Sequence, residues 1–380
     1  MTTRPLALYI HLPFCLRKCH YCDFNSRPAP PDERAEYLAA VRQEIAARAH
    51  DLADGARLDT IYLGGGTPTI YGADDLARLL DLVTEAFHVS PTAEISIEAN
   101  PETLDARKLR RLRAAGFSRL SIGAQSFDDA QLRMLGRGHR AADSARAVAM
   151  ARQAGFRHLS LDLIYALPGQ TPASWERTLA RALRLQPEHL SAYGLSIEEG
   201  TPLAGRVQRG ELAPVGEDEH LAMRRLTGAM CAKAGLRRYE ISNYALPGRH
   251  CRHNMVYWRN GEYVGVGAGA VSYLDRARAA NVRDSAAYTR ACLAGEPSLE
   301  TGERLGPDGQ LAETVMLGLR LAEGLAVAEL VARFGDEPVA ALGERARPLI
   351  EAGLLRANGE RVWLTAAGQA LHSEVAARLM

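Results

Sequence analysis

The sequence predicts an α/β protein, an open, partial (βα)6 barrel followed by a smaller winged-helix-like domain. Three observations carry this. Between residues 6 and 196, short apolar strands alternate six times with longer stretches of helical periodicity, the pattern of a parallel sheet covered by helices. The strands are β-branched and apolar on both faces, as strands buried in a parallel sheet are. From about residue 296 the pattern changes to helices followed by a hairpin around Asn358-Gly359, a strong turn signal. The chain is therefore expected to divide into 1–295 and 296–380.

Residues 6–11 form the first short strand, and Pro13 stops it. Pro28, Pro30 and Pro31 mark an extended connection, and Leu38, Val41 and Ile45 give residues 37–53 helical spacing. The second strand, 59–63, runs straight into Gly64-Gly65-Gly66-Thr67-Pro68, and a helix is expected over 74–88. Strand and helix then recur at 94–98 and 103–115. Strand 119–123 is followed by helical segments at 128–135 and 141–154. Strand 158–166 precedes helix 172–185, and 189–196 is the sixth strand. Six units are too few to close an eight-stranded barrel. In the second part, helices are expected at 309–322, 326–334, 338–353 and 366–378.

In parallel α/β architectures the site lies at the C-terminal ends of the strands, and the polar residues fall there. The stretch YIHLPFCLRKCHYCDF, Tyr9 to Phe24, places Cys15, Cys19 and Cys22 in a C-x3-C-x2-C spacing. Thiolates suit iron–sulfur clusters, zinc and copper(I). Zinc needs a fourth ligand, and His20 is too close to Cys19 to wrap easily onto the same metal. A disulfide would leave one cysteine over. A cubane cluster normally takes four thiolates, so three leave one iron open. The glycine run after the second strand allows close backbone approach, but it lacks the Lys and Ser/Thr of a phosphate loop.

Composition narrows the class. The chain has 380 residues, 24% charged, with net charge +1, so no bulk pull toward nucleic acid or anionic membrane is expected. Cys231, Cys251 and Cys292 are scattered. That is no disulfide framework, and a cytoplasmic location is the natural expectation. No stretch approaches the ~20 apolar residues of a membrane span, although a transient membrane contact stays compatible. The C-terminal part shows no basic recognition stripe, so DNA binding is not expected of its winged-helix pattern.

C-x3-C-x2-C with Tyr21 before the last cysteine resembles the signature of the radical S-adenosylmethionine (SAM) superfamily. The resemblance narrows further on. Glu98-Ala99-Asn100-Pro101, the segment Ser121 to Asp129 and the segment Asp162 to Thr171 are similar to the oxygen-independent coproporphyrinogen III oxidase branch. It covers nearly all of residues 6–380. It implies a [4Fe-4S] cluster on Cys15, Cys19 and Cys22. It also implies a SAM site from Tyr9, Tyr21, Gly64, Gly65, Gly66, Thr67, Glu98, Gln125, Arg137 and Asp162. The chemistry agrees: carboxylates accept from hydroxyl or ammonium groups, Gln125 donates and accepts, and Arg137 can hold a carboxylate.

Two departures point within the branch. The oxidases place a fourth cysteine two residues after the third, where this chain has Phe24. They also carry a longer segment before the motif, where this chain has fourteen residues before Cys15. Both resemble the branch's heme chaperones, as does His253-Asn254-Met255-Val256-Tyr257-Trp258, an H-N-x-x-Y-W stretch. That likeness implies heme as a further cofactor, bound through His253, Tyr257 and Trp258. Cys251 and His250 are alternative ligands. It also implies heme-accepting partners such as respiratory cytochromes or oxidases. Imidazole is a common axial ligand, and aromatics pack on a porphyrin face. Oxidative decarboxylation of coproporphyrinogen III, a step of porphyrin biosynthesis, is the alternative activity. Monomer and homodimer both stay open. The run Gly265 to Tyr273, GVGAGAVSY, fails as a dinucleotide fingerprint and reads as close backbone packing near the site.

Overall fold

The computed structural model describes residues 4–52 and 56–380. The six expected strands are present: β1 (Arg4–Leu12), β2 (Ala56–Gly65), β3 (His88–Ala99), β4 (Arg119–Gln125), β5 (His158–Tyr165) and β6 (His189–Gly194). They hydrogen-bond in that order, all parallel. Leu8, Ile10, Ile61, Leu63, Ile97, Leu120 and Leu161 are buried in one continuous core with the covering helices. Most strands run a few residues longer than the apolar pattern, because ladder hydrogen bonds continue into polar positions.

Both edges of the sheet extend beyond the expected six strands. Beside β1 lies a seventh parallel strand, Tyr263–Val266. Val271–Leu274, Ala277–Asn281 and Leu299–Arg304 continue it antiparallel. Beyond β6 lie Asn243–Ala245 and Arg237–Arg238, giving a sheet of twelve strands among the described residues. Sequence reading missed these strands because they are short and the seventh is rich in glycine. A Cβ on Gly265 would lie 2.1 Å from the Val271 carbonyl oxygen, so glycine is what permits this hairpin. Leu299–Arg304 lies past residue 295 yet stays hydrogen-bonded to the large sheet.

The helices fall near their expected places, with shifted ends. The first is Pro31–Asp51. It starts early because Pro31 fits the first helical turn, where no N–H partner is needed; Ala53, its expected end, lies outside the described residues. Thr103 ends a short 3-10 turn, Pro101–Thr103, and residues 104–105 are not helical. Asp105 instead caps Ala106–Ala115 by accepting from the Lys108 N–H. Thr171 caps Pro172–Arg184 in the same way through the Ser174 N–H.

The C-terminal part has its own core, built on Leu311, Val315, Leu330, Leu342, Leu349 and Leu364. Its helices are Pro307–Gly318, Val327–Phe334 and Asp336–Glu351, and its hairpin pairs Leu355–Ala357 with Arg361–Leu364. Leu325–Ala326 adds a third strand to that wing. The last expected helix is broken in two, Ala366–Ala370 and His372–Leu379.

Candidate functional site

Beyond the end of β1 the chain forms a short parallel pair, Phe14–Cys15 with Arg27–Pro28, and the cysteine loop spans the gap between them. The loop is pinned from outside. The His20 ring bonds the Met134 carbonyl at 2.9 Å, and the His20 N–H donates to Leu135 O. Tyr21 packs against Leu135, Ile164 and Leu167. His20 is therefore a strut to the helix after β4. The three cysteines are free thiols of intermediate exposure.

Each sulfur has a hydroxyl or guanidinium close by. Thr67 Oγ1 donates to Cys15 Sγ at 3.5 Å. Arg137 Nη1 donates to Cys19 Sγ at 3.4 Å. Ser26 Oγ is 3.7 Å from Cys22 Sγ. Hydrogen bonds to sulfur are what tune an iron–sulfur centre, so this donor set fits a thiolate-held cluster. Burial raises the Cys15 thiol, the donated Thr67 bond working against it. A cation would reverse that preference. Among the described residues, no three ligating side chains converge closely enough for a single metal ion.

The thiols open onto a cavity of about 400 Å³, also lined by Tyr21, Gly65, Gly66, Thr67, Glu98, Gln125, Arg137 and Asp162. The fold thus brings together most of the expected SAM residues at the C-terminal mouth of the barrel. Glu98 ends β3. Its carboxylate accepts from Tyr62 Oη at 2.8 Å and from the Gly65 N–H at 3.2 Å. Burial, with Asp162 nearby, pushes it up to about 7. Asp162 accepts from Ser121 at 2.8 Å and Ser160 at 3.3 Å, and burial raises it too. Gln125 ends β4 at φ 61°, a left-handed conformation that is costly outside glycine and often kept at functional sites.

The glycine run is also required by packing within the chain. A Cβ on Gly65 would meet the His11 ring at 2.6 Å, and one on Gly66 would meet Phe14 O at the same distance. The Gly66 and Thr67 N–H groups donate to Leu12 and Phe14 carbonyls. These glycines weld the loop to the cysteine segment, and their amides are taken. Carbonyl oxygens are what the loop can still offer, acceptors suited to an ammonium group. Arg137 is likewise engaged: Nη2 donates to Asn100 at 2.5 Å and to Gly123 O at 2.8 Å. Its Nε is buried with no partner.

Sequence reasoning assigned no role to Tyr62, Asn100, Ser26 or the serines around Asp162. Asn100 joins the site by donating to Thr67 Oγ1 at 2.9 Å. It stood inside the E-A-N-P motif, two residues from Glu98, which was a usable signal. Tyr62 carried none, because its role depends on the neighbouring strand.

The H-N-x-x-Y-W stretch lies elsewhere. It is the helix Arg252–Trp258, set under the opposite, N-terminal half of the strands. His253 is 1% exposed. One ring nitrogen bonds Thr60 Oγ1 at 2.8 Å, the other Tyr257 Oη at 2.9 Å. The ring stacks on Tyr62, centroids 5.1 Å apart, with Tyr9 beyond. Burial lowers His253 to about 3. The imidazole expected to meet an iron is thus occupied at both nitrogens. Cys251 is buried against Glu94 and pushed up to about 12. Trp258 meets the C-terminal domain, its ring under Arg320 at 4.4 Å. Tyr9 bonds His11 at 3.0 Å and sits beneath the cavity beside Gly64.

The Radical SAM superfamily model matches residues 9–182, and the HemN C-terminal domain model matches 305–371. The chain is 39% identical to the heme chaperone HemW of Mycobacterium tuberculosis, over 100% of this chain and 96% of that one. It is 36% identical to the HemW of Bacillus subtilis, over 97% of each. Among solved structures, coproporphyrinogen III oxidase (HemN) from Escherichia coli superimposes with a TM-score of 0.86 at 27% identity, covering 99% of this chain and 90% of that one. No helix among the described residues is long and apolar enough to cross a membrane. With three thiols at the mouth of a parallel barrel and full-length likeness to these relatives, the chain belongs to the HemW family of radical SAM proteins.

Proposed function

We propose that this protein is a heme chaperone that holds a [4Fe-4S] cluster on Cys15, Cys19 and Cys22 and binds SAM beside it. It would take up heme and pass it to acceptor proteins in the cytoplasm or at the membrane surface. The single observation that carries the cofactor reading is the donor beside each thiol, facing a cavity that continues to Glu98 and Asp162. The cluster, when bound, would supply an open iron for the amino and carboxylate groups of SAM. The chain's own residues do the rest. Glu98 and Asp162 offer carboxylates to cationic or hydroxyl groups, and Arg137 fixes Cys19 and the Asn100 loop. Phe24, 64% exposed at the cavity rim, stands where the oxidases of the branch have a fourth cysteine, and it cannot ligate metal.

For the heme, the iron ligand is proposed to come from the stretch 250–258. Among the described residues, His250 makes no side-chain hydrogen bond, and its ring stacks on Tyr239, centroids 4.5 Å apart. His253 would have to leave Thr60 and Tyr257 first. The oxidase reading keeps one supporting observation, the extent of the superposition on coproporphyrinogen III oxidase.

Anaerobic reconstitution tests both. The expected result is about four irons per chain, lost on replacing any of the three cysteines by Ser, and a Soret shift with hemin that His250→Ala or His253→Ala moves. Bound hemin should then pass to an apocytochrome. Zinc in place of iron would end the cluster reading. Conversion of coproporphyrinogen III to protoporphyrinogen IX, without hemin binding, would establish the oxidase instead.

A further inference from the structure

A hollow larger than the cysteine cavity lies elsewhere in the described residues. It is a groove of about 1170 Å³ between helix Glu217–Lys233, the strand pair at the β6 edge and helix Ala366–Ala370 of the C-terminal domain. The cysteine cavity, at about 400 Å³, is near the small end of drug-sized sites. A macrocycle the size of a tetrapyrrole has more room in the groove.

Two features of the groove define what fits it. Its walls are apolar and low: Ala229 and Ala232 on one side, Ala366 and Ala370 on the other. A Cβ on Gly228 would meet nothing within 4 Å. Its polar groups are of one sign. Arg224, Arg225, Arg237 and Arg238 all line it, and among the described residues none is in an ion pair with a carboxylate. Arg224 Nη2 is buried with no hydrogen-bond partner, and a buried donor left unmade is costly. Four unpaired arginines are conspicuous in a chain whose net charge is +1. An occupant that fits is broadly apolar, large and flat enough to lie between low walls, and anionic.

We propose that this groove is the tetrapyrrole site, the ring lying between the alanine walls and its carboxylates on the arginines. This rests on the heme-carrying reading above and gives it a location outside the barrel. Leu246 and Pro247 line the groove and lie four and three residues before His250, so the groove and a candidate iron ligand share one loop. Guanidinium suits carboxylate through paired, parallel hydrogen bonds. A site formed between two domains can also open for release when they separate.

The test is titration of the cluster-loaded protein with hemin, with protoporphyrin IX and with protoporphyrin IX dimethyl ester. Arg225 and Arg237 are exposed, so the Arg225→Glu, Arg237→Glu double variant should fold. It should bind hemin and the free acid roughly ten- to a hundredfold more weakly, the scale of one or two charge-assisted contacts. The dimethyl ester should bind parent and variant alike. A second variant, Ala232→Trp, fills the groove and should weaken all three ligands. Cluster absorption and SAM affinity should stay at parent values in both. Parent-like hemin affinity in both variants overturns the location while leaving the heme reading standing. A parent that binds no hemin overturns both.

Discussion

The two ends of the barrel are built from the same six strands and treat polar groups in opposite ways. At the C-terminal mouth, the cysteines are half-open, Gln125 is held in a left-handed conformation and Arg137 keeps a buried nitrogen without a partner. At the N-terminal end, Thr60, His253 and Tyr257 form a closed chain of hydrogen bonds. There Glu94 receives the His253 N–H at 3.2 Å, and buried Arg119 reaches the Arg249 carbonyl at 3.2 Å. A polar cluster with all its bonds made stabilises. One with bonds left open is built for something not yet in place. The same contrast holds in parallel barrels generally, where chemistry sits at the C-terminal face and stability at the other.

Stability is where the two ends should differ most. His253→Ala should destabilise the ligand-free protein by about 2–5 kcal/mol, from a cavity plus two abandoned hydroxyl partners. Thr60→Val should cost less, leaving one ring nitrogen unbonded. Denaturant titration of the two variants measures this. A His253→Ala protein as stable as the parent would mean that the imidazole is not part of the plug and is free to leave for an iron.

What could be read in advance follows from how local each feature is. Six strands, the cysteine loop, the E-A-N-P step and the Asp162 segment are runs of neighbouring residues, so their patterns survive in one dimension. The seventh strand does not. Tyr263–Val266 is four residues long, and its glycine serves a contact with Val271. The surroundings of His253 were also hidden, since its partners are Thr60, 193 residues away, and Glu94, 159 away. A motif shows which residues travel together. It does not show whether a ring nitrogen faces a ligand or a threonine.

Arg137→Ala should weaken SAM by about 1.5–3 kcal/mol, the scale of a hydrogen bond to a charged group. The variant also removes the donor to Cys19 and the link to Asn100, so cluster absorption must be followed alongside calorimetry. Unchanged SAM affinity with an intact cluster would reduce Arg137 to a strut, as closed in function as the residues of the plug.

The smallest effect separates the two ends by pH. Glu98 sits at about 7 because burial disfavours its charge, with Asp162 adding to the same direction. Below that pH it is a neutral acid and offers a cationic ligand no ionic partner. SAM affinity should therefore rise as pH climbs through about 7, by roughly tenfold between about pH 6 and pH 8. The ligand-free protein should show the reverse. A carboxyl raised above its unfolded value stabilises most below about 4.5, and that contribution fades as pH rises through 7. His253 moves stability the other way. Its imidazole is lowered to about 3, so its contribution is complete above about 6.5 and fades as pH falls through 3. Glu98→Gln should flatten the SAM profile and the upper stability limb while leaving the acid limb in place. Should SAM affinity in the parent be flat across neutral pH, Glu98 does not face the cationic end of the ligand. The open bonds at the mouth would then have to be explained by another occupant.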